Sequence, residues 1–221
     1  MTHLRPEMSF VATIKCQVEG LEGFLDVNTV SHTAGGKGGR LEQSTDLVAN
    51  NYYNYPEVDA SQRCNFHFRA LETPQGGLVY NICAKVGDEG LEVAAETRKG
   101  NIFLTPYLEC GGRLEFWHFR SVAPATVPDA PGKYAGIWLE RYIGVAEEEW
   151  RRRMGAEWPA GTGFYAHGRT DSGPYWNARF TAQAGPDRIP FLADLYVNRV
   201  GLYDLLTMEP IDLEEFRPAE S

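Results

Sequence analysis

Residues 63 to 86, RCNFHFRALETPQGGLVYNICAKV, admit few local structures other than an antiparallel hairpin. Phe66, Phe68 and Ala70 alternate with Asn65, His67 and Arg69, and a period of two sends successive side chains to opposite faces of a strand. Thr73-Pro74-Gln75-Gly76-Gly77 then interrupts the run. Its proline fixes φ and its glycines accept φ > 0, which is the chemistry of a short loop between antiparallel strands. Leu78, Tyr80 and Ile82 alternate with Val79, Asn81 and Cys83 on the return. One face of each strand is apolar and the other mixed, as in a sheet that closes over a core or a cavity.

The same period recurs along the chain. Ser9 to Val18 alternates Phe10, Ala12, Ile14, Cys16 and Val18 with more polar partners and reads as a first strand, and Phe24 to Val30 reads as a short second one. The GGKGG segment between Gly35 and Gly39 lacks the G-x-x-x-x-G-K-[ST] spacing of a phosphate-binding loop, and no helical pattern follows it, so it is expected to be a flexible loop. Leu91 to Arg98 and Ile102 to Leu108 continue as strands through Lys99-Gly100-Asn101, a tight-turn sequence. Arg113 to Val122, Lys133 to Val145, Thr162 to Arg169, Tyr175 to Gln183 and Phe191 to Val200 complete the series. Leu202 to Met208 is ambiguous between strand and helical turn. One amphipathic helix is expected at 145–158, where Glu147, Glu148 and Glu149 stand four residues before Arg151, Arg152 and Arg153.

Composition removes several functions. A formal net charge of −9 opposes both a nucleic-acid surface and attraction to anionic membranes. The four cysteines, Cys16, Cys64, Cys83 and Cys110, form no CxxC pair and no zinc-like spacing with histidine, so buried thiols are expected. MTHLRPEMSF has no apolar run of a signal peptide, and no stretch approaches a membrane span, which leads to the expectation of a cytoplasmic protein. G-x-S-x-G, H-E-x-x-H and G-x-G-x-x-G in a strand-to-helix setting are all missing from the sequence, so hydrolase, zincin and dinucleotide readings have no support.

Three of the five histidines share one local pattern: His67-Phe68-Arg69, His118-Phe119-Arg120 and His167-Gly168-Arg169. On a strand, residues two apart share a face, so each pattern sets an imidazole beside a guanidinium. One reading is an inward cluster in which arginine polarises a carbonyl or carboxylate and histidine moves a proton. A three-histidine metal site is a poorer one, because an arginine flanks every imidazole. The competing structural reading notes that Phe66, Phe68, Trp117 and Phe119 occupy the opposite face. If those aromatics are inside, the His-Arg pairs face solvent or a partner subunit. Tyr80, Trp138 and Tyr142 would then be the polar-tipped aromatics that meet a ligand, and Glu109 and Glu140 could serve as acids or bases if buried.

Asn65-Phe66, the Gly76-Gly77-Leu78 turn, and Pro124-Ala125-Thr126 leading to Gly132-Lys133-Tyr134-Ala135-Gly136 resemble the small β-barrel cyclases, the spirotetronate cyclases and the allene oxide cyclase-like barrels. The resemblance covers about residues 63–145 and rests on turn chemistry. It implies an eight-stranded antiparallel barrel whose apolar cavity folds a flexible polyene for ring closure without a cofactor. The material after Glu147 departs from such a minimal barrel.

The expected architecture is therefore all-β and mainly antiparallel, a calycin-like β-barrel with one amphipathic helix. It forms a single domain over 1–221, with helix 145–158 and strands within 162–200 extending the barrel. The expected function is a cofactor-independent cyclase or isomerase, pericyclase-like or of the Diels–Alderase kind, acting on a small apolar polyene or polyketide-type intermediate in the biosynthesis of natural products. His118, His67, Arg69, Arg120 and Tyr80 are the candidate catalytic residues, and Phe66, Trp117, Trp138, Tyr142 and Tyr165 the candidate substrate-binding ones, with no metal and no cofactor. The partner expected is a small apolar organic substrate, with no nucleic acid, no membrane, and a homodimer open. A lipocalin-like binding or carrier protein without turnover is the alternative, and a metal-dependent cupin-like enzyme a third. Walls and polar groups on opposite faces of one strand cannot all line one cavity, so this set of residues has to divide.

Overall fold

The structure is a computed structural model that describes residues 3–33, 41–51, 60–95, 102–106, 116–121, 127–142, 165–172, 175–181, 189–190, 192–204 and 206–211. Fourteen strands are present among them: β1 His3–Leu4, β2 Phe10–Cys16, β3 Gly23–Thr33, β4 Leu41–Asn50, β5 Phe66–Glu72, β6 Leu78–Val86, β7 Glu89–Ala95, β8 Ile102–Pro106, β9 Trp117–Ser121, β10 Gly132–Arg141, β11 Tyr165–Ser172, β12 Tyr175–Thr181, β13 Ile189–Pro190 and β14 Ala193–Val200. The helical content among these residues is short 3-10 turns, such as Pro6–Met8 and Ala60–Gln62. The helix expected at 145–158 lies outside the described residues. So does the GGKGG segment, although Thr33 pairs with Leu41 on either side of it and makes β3 and β4 one long hairpin.

The fold is all-β, the described strands pair antiparallel, and six of them close into a barrel. Following the pairings, β5 joins β2, β2 joins β14, β14 joins β10, β10 joins β9, β9 joins β6, and β6 returns to β5. The resemblance implied eight strands; this ring has six. A second route also links β2 to β6, through β3, β4, β8 and β7. The strand from Ala193 is a member of the ring, between β2 and β10, while β11 and β12 hang from β4 outside it. Among the described residues no helix is long and apolar enough to cross a membrane.

Local chemistry explains the turns. Between Glu72 and Leu78, Thr73 N donates to Gly77 O at 2.7 Å and Gly76 N to Thr73 O at 2.9 Å, with Gly76 at φ +78° where a side chain would be strained. In β10 the register with β14 shifts between Tyr134 and Ile137, and Gly136 sits there at φ +69°. An extra residue at that point bends the strand, which helps a ring to close.

Alternation then decides what lies inside. Phe10, Ala12 and Ile14 of β2, Phe66, Phe68 and Ala70 of β5, Tyr80 and Ile82 of β6, Trp117 of β9, Leu139 of β10 and Leu195 of β14 are all buried in one cluster. Phe10 and Phe68 stack with centroids 4.5 Å apart, and Tyr80 meets both edge-on at 5.6 and 6.0 Å. Barrels of about eight strands have interiors just wide enough for side chains to fill, and a six-stranded ring is narrower still. Two polar tips are tied to backbone: Trp117 Nε1 donates to Val93 O at 3.1 Å, and Tyr80 Oη to Met8 O at 3.4 Å. Burial pushes the Tyr80 phenol well above its ordinary pKa and the Cys16 thiol up to about 11, as expected where a charge would be desolvated.

Candidate functional site

The candidate residues divide between the two faces of the ring. Phe66, Tyr80 and Trp117 point inward and are at most 1% exposed. They belong to the packed interior. His67 and Arg69 project outward from β5, and the register of β9 with β10 puts His118 opposite Glu140 and Arg120 opposite Trp138. Directly opposed residues share a face, so His118, Glu140 and Trp138 stand on the outside, and Tyr142, two residues beyond Glu140, joins them. Tyr142 N donates to Phe116 O at 2.8 Å, which prolongs the ladder and fixes its position. Tyr165 is on β11, outside the ring, and the third His-x-Arg pattern lies on the same strand.

This outer surface is not an ordinary solvated face. His67 is 2% exposed, Asn81 2%, Cys83 and Glu92 0%, although all four project away from the aromatic interior. They form a second, polar layer. Asn81 Nδ2 donates to Glu92 Oε2 at 2.9 Å, and Cys83 Sγ lies 3.0 Å from Asn81 Oδ1. Arg69 pairs in register with Asn81 and is half-buried. A buried carboxylate held by an amide is costly to desolvate and is retained where its hydrogen bonds are good.

His67 is covered by the chain's return after β14. Its Nε2 lies 3.1 Å from Met208 Sδ, and its ring meets Tyr203 edge-on at 6.2 Å. Burial, with Arg69 and Arg199 close by, brings its pKa down to about 4, against the opposing pull of the Tyr203 carbonyl and Asp204. It is therefore a neutral imidazole near pH 7, closed off from solvent.

His118 differs. It is half-buried on β9, opposite Glu140, with the Tyr142 ring edge-on at 5.2 Å and 82°. An imidazole, a carboxylate and a phenol thus stand in one row, with Trp138 beside them on β10. β9 meets β6 at the Tyr80–Trp117 pair, which makes Asn81 and His118 diagonal neighbours across the junction. The row consequently adjoins the polar layer. Such a set can accept a proton, hold the resulting imidazolium against a carboxylate, and donate a hydrogen bond to a developing oxyanion.

The sequence alone singles out His118, Glu140, Trp138 and Tyr142 but not their common face, because that needs the β9–β10 register. It does not single out Glu92 and Asn81, whose alternating positions look like a solvated face. The burial of Arg141 had a signal: it continues the apolar parity of Ile137 and Leu139, and the structure buries it at 4% exposure opposite Trp117. Among the described residues no three His, Cys, Asp or Glu side chains are grouped so as to hold a metal ion. Comparison of the chain with protein-family models, with curated proteins and with solved structures finds no match.

Proposed function

We propose that the protein is a cofactor-independent cyclase or isomerase whose chemistry lies on the outer face of β9 and β10 rather than inside the ring. The observation that carries this reading is the row itself: His118 opposite Glu140, with the Tyr142 ring against the imidazole. His118 moves the proton, Glu140 orients and stabilises its charged form, and the Tyr142 hydroxyl donates to a carbonyl oxygen as negative charge develops there. Trp138 supplies an apolar surface that holds the substrate in a reactive shape. The substrate class, a small unsaturated chain of polyene or polyketide type, is the one the resemblance to β-barrel cyclases implies.

Native mass spectrometry of protein taken from its producing cells, followed by incubation of any compound found, tests this. A linear precursor converted to an isomer of equal mass supports the proposal, with turnover lowered roughly 10²- to 10⁴-fold in His118→Ala, the range of general acid–base catalysis. Full turnover in His118→Ala overturns the assignment of the row. A ligand released unchanged by the native protein makes it a carrier.

A further inference from the structure

Met208 is the point at which the chain's return after β14 closes on β5. Its Sδ lies 3.1 Å from His67 Nε2, so a half-buried thioether rests on an imidazole that is only 2% exposed. The backbone there is strained. Met208 has φ +60°, and among the described residues it is the one position other than glycine with positive φ. A long side chain in that region is held by its surroundings rather than by its own preference. Around it, Met208 N donates to Asp204 O at 3.0 Å, Arg199 Nη1 donates to Met208 O at 3.2 Å, and Tyr203 forms an isolated bridge with Pro210.

A thioether in that position can be changed by chemistry. Methionine packs as an apolar side chain, whereas its sulfoxide is polar, larger and a strong acceptor. Hydrogen peroxide supplies the oxygen: the sulfur lone pair attacks one peroxide oxygen, the O–O bond breaks, and the departing hydroxide takes the proton of the attacked oxygen. Sulfur loses two electrons, peroxide gains two, and the products are sulfoxide and water. Met208 lines a cleft of about 370 Å³ with Val27, Asn65 and Val86, which is ample for a molecule the size of peroxide. Between Sδ and Nε2 there is no such space. A hydrogen bond from the imidazole to a sulfoxide oxygen needs about 2.7–3.2 Å between nitrogen and oxygen, and at 3.1 Å the sulfur already stands there. The added oxygen either pushes the sulfur off the ring or turns to water, and both loosen the contact.

We propose that Met208 is a peroxide-responsive modification site, whose oxidation to the sulfoxide releases the chain's return from β5 and opens His67 to solvent. The site shares no residue with the β9–β10 row, so it is independent of the proposed activity. Reduction of the sulfoxide by a thiol-dependent reductase reverses it. The charged groups around the ring are Arg69 on β5, Arg199 on β14 and Asp204 on the return. Burial is the largest influence on the imidazole, so a hydrated ring takes up a proton more readily even with both arginines still in place.

The full chain is treated with hydrogen peroxide, oxidation is read methionine by methionine in peptide mass spectra, and the His67 ring, identified with His67→Gln, is titrated by its proton shift. Oxidation of Met208 should raise the His67 pKa from about 4 toward 6.5, and reduction of the sulfoxide should restore it. Met208→Leu keeps the bulk and removes the oxidisable sulfur, so peroxide should leave its His67 titration unchanged. If that variant does not fold, the double variant Met8→Leu, Met154→Leu decides, because Met208 is then the one methionine after Met1, and it should respond as the native chain does. The proposal is overturned if Met208 in the folded chain stays reduced under conditions that oxidise free methionine, or if its oxidation leaves the His67 pKa unmoved. It is equally overturned if Met208→Leu responds to peroxide as fully as the native chain, if the double variant does not respond, or if reducing the sulfoxide does not restore the titration.

Discussion

His67 shows how one side chain links burial to pH. Its pKa in the folded protein is about 4, against about 6.5 when unfolded, because burial comes first and two arginines add to it. Between those values the unfolded chain takes up a proton that the folded one refuses. Stability is therefore complete above about pH 6.5, falls as pH is lowered through that window, and stops changing on this account below about pH 4. The full difference is roughly 3 kcal/mol by linkage. Urea midpoints measured from pH 7 to 4 should fall less steeply in His67→Gln than in the native chain. Equal slopes would mean that the imidazole is hydrated or differently paired. Nothing in His67-Phe68-Arg69 announces this, since a strand histidine opposite two phenylalanines reads as surface.

At the scale of elements, what was legible is what is local. β5 and β6 were readable with their turn because alternation and the Pro-Gly loop lie within 24 residues, 63 to 86. The register of β9 with β10 was not, since it depends on contacts across a long connection. The segment from Leu202 to Met208 is ambiguous for a physical reason. Its described residues belong to a strap held by one isolated antiparallel bridge, Tyr203 with Pro210, and by single bonds: Ile211 N to Leu202 O, Met208 N to Asp204 O, Lys85 Nζ to Leu206 O, Arg199 Nη1 to Met208 O. Asp204 organises its turn, accepting from the Leu206 and Thr207 amides and the Thr207 hydroxyl, which holds its carboxyl below the usual range. Ending the chain at Gly201 should leave the ring folded but remove buried Leu202, at a cost of about 2–3 kcal/mol, and return the His67 pKa toward 6.5. Thermal unfolding and the proton shift of the His67 ring followed against pH would measure both; an unmoved His67 pKa would show that the strap is not what buries it.

The whole molecule depends on pairings that no local pattern reveals. The sequence supports the all-β class strand by strand, yet the ring is closed by β14, whose residues 193–200 pair with residues 10–16 near the other end of the chain. Periodicity tells which residues face inward but not which strand lies beside which, so six strands in this order could not be read from it. Rings closed by distant strands also fold slowly, in milliseconds to seconds, because loop-closure entropy is spent before the contacts reward it. A chain ending at Phe191 therefore differs in kind from one ending at Gly201. It strips β2 and β10 of their shared neighbour, exposes two edges, and uncovers the interior around Ile14 and Leu139. The shorter chain should lose its cooperative unfolding transition and aggregate, while the longer one keeps a single transition at lower stability. If the chain ending at Phe191 instead melted cooperatively as a monomer, the second route through β3, β4, β8 and β7 would be sufficient to close a core on its own, and the ring would be a later addition to it.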